Sequence, residues 1–216
     1  MTDEKEQLEA ITDIRKMMER STRFLSLSGL SGVCAGVFAL AGAAAAYFRL
    51  EKTLMASEYS QRMTEGTEIS SAGAAGTLDF ILLDALLVLS ASLLLGFFFT
   101  YRKARKEGLK VWDGSSRRMA FSLFIPLAAG GIFCLALLHH QMISMIAPAT
   151  LLFYGMALLN ASKYTFNDIR YLGLTEIMLG LIAAWFHSSG LLFWAIGFGL
   201  MHIVYGAAMW YKYERN

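Results

Sequence analysis

A single glutamate, Glu176, interrupts the apolar stretch YLGLTEIMLGLIAAWFHSSG, which runs from residue 171 to residue 190. Gly173 and Gly180 stand three residues before it and four residues after it, so all three share one helix face. Small residues mark close contacts between membrane helices, so we expect this face to be buried against a neighbouring helix. A carboxyl group there needs a polar partner, because burying an unpaired charge is strongly unfavourable.

His202 is the partner that we predict for Glu176. Counting helical rise from the nearer end of each helix places Glu176 about 9 Å and His202 about 13 Å inside the same membrane face. The turn between the two helices is very short, which favours antiparallel neighbours. Tyr205 lies close to one turn after His202 and is a candidate third member. Such a group either holds helices together or handles protons or a small ligand.

A second candidate site combines Asp84 with three histidines predicted at the opposite face: His139, His140 and His187. Together these side chains could bind a metal or relay protons. The alternative is that the histidines are ordinary turn residues at the lipid headgroups. Only His202 lies deep in the membrane, which argues against a haem held by two facing histidines. We predict no cofactor.

The composition around these groups is that of a membrane protein. Of the 216 residues, 56% are hydrophobic and 17% are charged, whereas soluble domains have roughly 25% charged residues. The charges cluster in segments 1–23, 49–68, 102–118, 163–170 and 212–215. The apolar runs between them are long enough to cross a bilayer.

We therefore predict an all-α integral membrane protein, a six-helix bundle. Helices are expected because every backbone amide in lipid needs an internal partner. An amphipathic cytoplasmic helix, residues 1–23, would precede the transmembrane domain, residues 24–216. The predicted spans are residues 24–48, 78–101, 119–138, 142–161, 171–187 and 191–211.

The distribution of Lys and Arg predicts that both termini are cytoplasmic. The N-terminal segment, the second and fourth loops and the C-terminal tail are basic, whereas the other side has only Arg49, Lys52 and Arg62. These three residues lie in the longest loop, residues 49–77, which ends in the flexible stretch SSAGAAGT. Topology explains the basic residues, and we predict no nucleic-acid partner.

Two segments could bind a partner on the cytoplasmic side. In residues 1–23, an apolar stripe recurs at helical spacing and could rest on headgroups or self-associate as a coiled coil; it consists of Leu8, Ile11, Ile14 and Met18. The polar loop at residues 160–171 could bind a small anion or a protein. Within it, Thr165 and Asp168 are expected to cap the following helix.

Small residues and prolines predict how the helices pack. Gly32 and Gly36 form a small-xxx-small pair in the first span, suited to packing within the bundle or across a homo-oligomer. Pro126 and Pro148 each free the carbonyl of a serine four residues earlier. We predict no disulfide framework from the two cysteines, and the common ATPase and hydrolase motifs are absent from the sequence.

Two stretches, MMERSTRFLSLSGLSG and NASKYTFNDIRYLGLTEIMLGL, resemble a family of small bacterial six-span membrane proteins to which no activity is assigned. The resemblance covers nearly the whole chain. It implies a bacterial inner-membrane location and a neighbouring gene for a winged-helix regulator. It supplies no catalytic residues.

Three functional hypotheses follow. The first is a non-enzymatic protein of the lipid bilayer that moves or senses a small solute or partner, with Glu176, His202 and Asp84 as its polar core. The second is an intramembrane enzyme, metal-dependent or not, that uses Asp84 and the histidines. The third is a membrane scaffold that associates through the first span and the N-terminal helix.

Overall fold

The computed structural model of the chain describes residues 27–63, 71–106 and 111–215, together with Gln7 and Gly108. These residues form helices, and none of them is in a β-strand. Among them we distinguish six long helices: α1 Gly29–Met63, α2 Ser71–Lys106, α3 Gly114–His139, α4 Ile146–Ala161, α5 Asp168–Trp185 and α6 Gly190–Tyr213. Helix α6 contains a π-helical segment, Ala195–Met201, between two α-helical parts.

Five of these helices are long and apolar enough to cross a membrane, namely α1, α2, α3, α4 and α6. Helix α5 has 18 residues, a length of about 27 Å at 1.5 Å per residue. All 18 residues are needed to cross a bilayer, and three of them are ionisable, namely Asp168, Arg170 and Glu176. The helices are therefore compatible with a polytopic membrane protein. The N-terminal stripe of Leu8, Ile11, Ile14 and Met18 lies outside the described residues.

The outward surface is apolar. Large side chains such as Leu94, 71% exposed, and Trp185, 84% exposed, point away from the bundle. Helix α2 contacts mainly α1, so most of its leucines and phenylalanines face outward. A surface of this kind matches lipid tails rather than water.

The helices pack in two groups that α6 connects. Helix α1 packs on α2 and α6, whereas α4 packs on α3 and α5. The first half of α6 also contacts α4 and α5. Residues from α4, α5 and α6 therefore meet in one place.

Glycines make both groups tight. A Cβ atom at Gly36 would lie 2.6 Å from the Gly199 carbonyl oxygen, so α1 and α6 touch through their backbones. A Cβ atom at Gly32 would lie 3.2 Å from the Gly206 Cα on the same α1–α6 interface. The predicted pair Gly32 and Gly36 therefore packs inside the bundle.

Helices α4 and α5 approach each other in the same way. A Cβ atom at Gly173 would lie 2.8 Å from the Gly155 carbonyl oxygen, and one at Gly180 would lie 2.9 Å from the Leu152 backbone nitrogen. The face predicted around Glu176 is thus the face that packs against α4. Glu176 itself is buried on it.

Polar side chains complete the interfaces where prolines and helix ends leave backbone groups unpaired. Pro126 cannot donate to the Ser122 carbonyl, and the Asn160 amide of α4 donates to that oxygen instead, at 2.9 Å. At the start of α3, Asp113 accepts from the Ser116 backbone nitrogen at 2.7 Å in a capping box. This cap explains why α3 begins before the predicted span.

One end of the bundle, which we call the basic end, holds Lys103, Lys163 and Lys212. Here Glu214 accepts hydrogen bonds from the Gly29 backbone nitrogen at 2.6 Å and from the Ser28 hydroxyl at 3.0 Å. Lys103 donates to the Leu27 carbonyl at 2.8 Å and lies 3.4 Å from Glu214. A carboxylate at a helix N-terminus is stabilised by the free N–H groups and the helix dipole. The start of α1 is therefore fastened to the ends of α2 and α6.

One local prediction was wrong. Residues 49–63 and 71–77, expected in a long flexible loop, continue α1 and begin α2. Asp168 accepts from the Tyr213 hydroxyl at 2.7 Å and from Lys212 at 3.1 Å. The side chain of Asp168 therefore joins α5 to α6, and its expected role in capping α5 with Thr165 stays a prediction.

A methyl group at the α4–α5 contact should destabilise the protein. Gly173→Ala places a carbon 2.8 Å from the Gly155 oxygen and 2.9 Å from the Leu159 nitrogen, and such overpacking costs about 1–3 kcal/mol. The matched control is Gly131→Ala in α3, where no atom lies within 4 Å and helix propensity favours alanine by up to about 1 kcal/mol. Thermal unfolding in detergent measures both. Equal stability of the two variants would contradict the packing described.

The contact between Asp168 and α6 should weaken in acid. Burial raises the pKa of the Asp168 carboxyl, but hydrogen bonds from Tyr213 and Lys212 and the charge of Lys212 outweigh it, so this pKa lies below its ordinary value. The stabilisation is therefore complete above the ordinary aspartate pKa of about 3.9 and is lost as the pH falls through the lowered value.

Comparing Asp168→Asn with wild type tests this. The wild-type advantage in unfolding temperature should be present at neutral pH and vanish in acid. Asp79→Asn, at an exposed aspartate of α2, is the control. If the unfolding temperature of wild type instead exceeds that of Asp168→Asn by the same amount down to the lowest pH measured, the contact with Lys212 and Tyr213 is not the source of the difference.

Candidate functional site

Glu176 occupies the centre of the contact among α4, α5 and α6. Its side chain is 0% exposed, and neither carboxyl oxygen has a hydrogen-bond partner among the described residues. The position follows from its neighbours on α5, because Gly173 and Gly180 bring that face onto α4. A polar group buried this completely is ordinarily hydrogen-bonded. Among the described residues, Glu176 is an exception to this rule, with both of its oxygens unbonded.

His202 lies beside it on α6. The His202 Nδ1 is 3.5 Å from Glu176 Oε1, which is ion-pair distance without a hydrogen bond. The same nitrogen is 3.0 Å from the Gly197 carbonyl oxygen, and Nε2 is 2.7 Å from the Tyr154 hydroxyl. Both ring nitrogens are thus hydrogen-bonded, and Glu176 is the one member of the group without such a bond.

These distances assign the hydrogen positions on the imidazole. A carbonyl oxygen only accepts, so the Nδ1 of His202 carries a hydrogen and donates to Gly197. In the neutral ring Nε2 is then an acceptor, and the Tyr154 hydroxyl donates to it. This arrangement satisfies His202 and Tyr154 without any charge.

Aromatic rings enclose the histidine. The Tyr154 ring stacks on His202 with centroids 5.4 Å apart, and Phe198 stacks on it at 5.8 Å. Tyr154 and Phe198 also contact each other at 4.9 Å. The imidazole is therefore held in one orientation, with Nδ1 facing Gly197 and Glu176.

The π-helical segment Ala195–Met201 supplies the other wall of the site. Gly197, within this segment, approaches the carboxyl group so closely that a side chain there would collide with Glu176 Oε2 and with Leu151. π-Helical segments are rare and occur frequently at functional sites. Any side chain at residue 197 would therefore displace the Glu176 carboxyl group and Leu151 from their present positions.

Asp84 and Tyr205 make no described hydrogen bond to Glu176 or His202. Asp84 faces α1, where a Cβ atom at Gly42 would lie 3.0 Å from its carboxyl oxygen, because α2 packs mainly on α1. Tyr205 packs against a hydrophobic cluster that includes Leu158 and Met209. No described hydrogen bond or ion pair joins either residue to Glu176, whereas the Tyr154 hydroxyl is hydrogen-bonded to His202.

The predicted histidine site is not assembled by the described side chains. His139 and His140 are adjacent and exposed, with ring centroids 5.3 Å apart. Among the residues that the structure describes, no three His, Cys, Asp or Glu side chains come together as metal ligands. The side chain of His187 lies outside the described part.

Sequence reasoning overlooked Tyr154 and Gly197. A signal for Tyr154 exists, since it lies in the middle of an apolar stretch, away from the membrane boundaries where tyrosines usually occur. Gly197 has no comparable signal, because its role depends on the π-helical path of α6.

Comparisons with known proteins add no family and no activity. No protein-family model, no curated protein and no solved structure matches the chain.

Loss of the Tyr154 hydroxyl should destabilise the protein. Tyr154→Phe removes the donor to His202 Nε2, and an unpaired buried acceptor costs about 1–3 kcal/mol. Tyr205→Phe is the matched control, because no described hydrogen bond involves that hydroxyl; we expect a change within about 0.5 kcal/mol. Thermal unfolding in detergent measures both. A larger loss in Tyr205→Phe than in Tyr154→Phe would overturn the assignment.

Proposed function

We propose that the protein is a six-span membrane protein that moves or senses a small cationic or hydrogen-bond-donating solute at Glu176. The observation that carries this proposal is the occluded carboxyl group, whose two oxygens have no partner among the described residues. A ligand for two free acceptor oxygens must bring a positive charge or a donor hydrogen.

The position of the carboxyl group supports transport or sensing. Ionisable residues within membrane helices are expensive, and they typically mark ion pathways and proton relays. Glu176 lies next to a π-helical segment, an irregular stretch of backbone that borders the site. Substrate and ion sites of transporters are commonly built at interrupted helices.

The membrane topology belongs to the same proposal. Helix α5 would be the sixth span, since α4 and α6, which both have membrane-spanning length, pack against it. The Lys and Arg distribution supports two cytoplasmic termini, and the resemblance to the bacterial six-span family implies an inner-membrane location. Membership of the small six-span family rests on the two sequence stretches alone.

The other two hypotheses find less support. An enzyme that uses Asp84 and the histidines needs these groups to converge, but Asp84 faces Gly42, and no three His, Cys, Asp or Glu side chains come together among the described residues. A scaffold acting through the first span would need its glycine face outward, whereas Gly32 and Gly36 pack on α6.

Flux through liposomes tests the proposal. Purified protein is reconstituted, and gradients of sodium, potassium, methylammonium and protons are imposed in turn, with dissipation recorded by ion-sensitive dyes. We expect wild type to dissipate at least one gradient or, as a sensor, to change its tryptophan fluorescence with one cation. Glu176→Gln should lose the response. Asp84→Asn, the second intramembrane carboxyl, should retain it.

Identical behaviour of wild type and Glu176→Gln toward every cation would refute a solute site at Glu176. A loss of response in Asp84→Asn alone would move the site to the α1–α2 interface.

A further inference from the structure

The space around Glu176 limits what can bind there. The side chain has no exposed surface, so no water molecule fits beside it. A single carbon added to Gly197 would already lie 2.5 Å from Leu151 Cδ2 and 3.2 Å from Glu176 Cδ. Leu151 is itself fully buried. In this conformation a sodium, potassium or ammonium ion has no room.

A metal ion also lacks ligands. Both nitrogens of His202 are already engaged, with Gly197 and Tyr154. No group of three potential metal-ligating side chains occurs among the described residues. One carboxyl group does not make a coordination site for a divalent ion.

An unoccupied carboxylate is equally unsuited to the site. It would be a buried anion that accepts no hydrogen bond, and its ion pair with a protonated His202 would be 3.5 Å long. Buried ion pairs stabilise only when further hydrogen bonds satisfy their lone pairs. The neutral carboxylic acid avoids both penalties and needs no additional space.

We infer that the solute of this site is the proton itself, and that Glu176 takes up and releases one proton while the Nδ1–H of His202 switches between two acceptors. The inference rests on the proposed function and specifies its substrate. With the proton bound, Nδ1–H donates to the Gly197 oxygen at 3.0 Å. When the helices open enough for water to reach the carboxyl group, the O–H bond of Glu176 breaks, the proton passes to that water, and the electron pair stays on the carboxylate.

The carboxylate then competes for the same N–H. Glu176 Oε1 lies 3.5 Å from Nδ1, only 0.5 Å farther than the Gly197 oxygen by the difference of the two distances. A charged acceptor binds a given donor more strongly than a neutral one, so the hydrogen bond moves from Gly197 to Glu176. Gly197 loses its imidazole donor, and the change reaches the π-helical segment of α6.

Few other ionisable groups face this site. Among the described residues, Tyr154 from α4 and His202 from α6 lie at Glu176, and no described hydrogen bond or ion pair joins Tyr205 to them. The charged residues Asp168 and Lys212 lie at the basic end, and Asp168 is eight residues, about 12 Å, before Glu176 on the same helix. Proton uptake is therefore determined mainly by His202 and Tyr154.

Spectroscopy of the wild-type protein in lipid tests the inference without requiring flux. Infrared spectra recorded from about pH 3 to about pH 10, which brackets the ordinary pKa values of glutamate and histidine, should show a protonated carboxyl band that disappears once as the pH rises. Glu176→Gln should lack that band at every pH. Asp84→Asn should keep it.

Nitrogen-15 NMR of labelled histidine gives a second measurement that does not depend on the Glu176 variant folding. The His202 signal, assigned with His202→Gln, should show a neutral ring with hydrogen on Nδ1 at neutral pH. It should shift in the same pH range in which the carboxyl band disappears.

A carboxylate signal for Glu176 with a doubly protonated His202 throughout this range would overturn the inference. The proposed function would then be tested independently by the liposome experiment, in which another cation would have to give a response that depends on Glu176. Conversely, a titrating carboxyl band without flux of any kind would support the proton as ligand and leave a sensing role.

Discussion

Backbone contact at glycines is the constraint on which the other features depend. In lipid the hydrophobic effect does not drive helices to associate, so close packing must hold them together. Gly36 against Gly199 sets α6 on α1, and Gly155 against Gly173 sets α5 on α4. Glu176 meets His202 only where these two contacts exist together. A bulkier residue in either contact would separate the elements that form the site.

The cluster thus formed has more acceptors than donors. The Nδ1–H of His202 and the hydroxyl hydrogen of Tyr154 serve Gly197 and the Nε2 of the same ring. No donor hydrogen remains for Glu176, and neither of its two oxygens has a hydrogen-bond partner among the described residues. Such a deficit is unusual inside a protein, where buried polar groups are nearly always paired. Polar groups that only join helices satisfy one another's hydrogen bonds. A shortage of donors is instead what a binding site for a donor or a cation would show.

How much of this could be predicted differs from residue to residue. Apolar length predicts membrane-spanning helices directly, and the glycine spacing on α5 correctly indicates which face is buried. The similar membrane depths of Glu176 and His202, and the short turn between their helices, are enough to predict that the two residues lie close together. Asp84 shows the limit, because depth alone does not reveal that α2 packs on α1. Tyr154 comes from α4, and no counting along α5 and α6 can locate a third helix.

Gly197 connects the chemistry of the site to the conformation of α6. Its carbonyl accepts from His202, its missing side chain admits Glu176, and its backbone belongs to the π-helical segment. A change in the charge of Glu176 alters the hydrogen bond to that carbonyl, and a change in the winding of α6 alters the space around the carboxyl. Coupling of this kind is reciprocal by thermodynamic necessity. If Glu176 binds a proton as proposed, whatever moves α6 must therefore also shift the affinity of Glu176 for that proton.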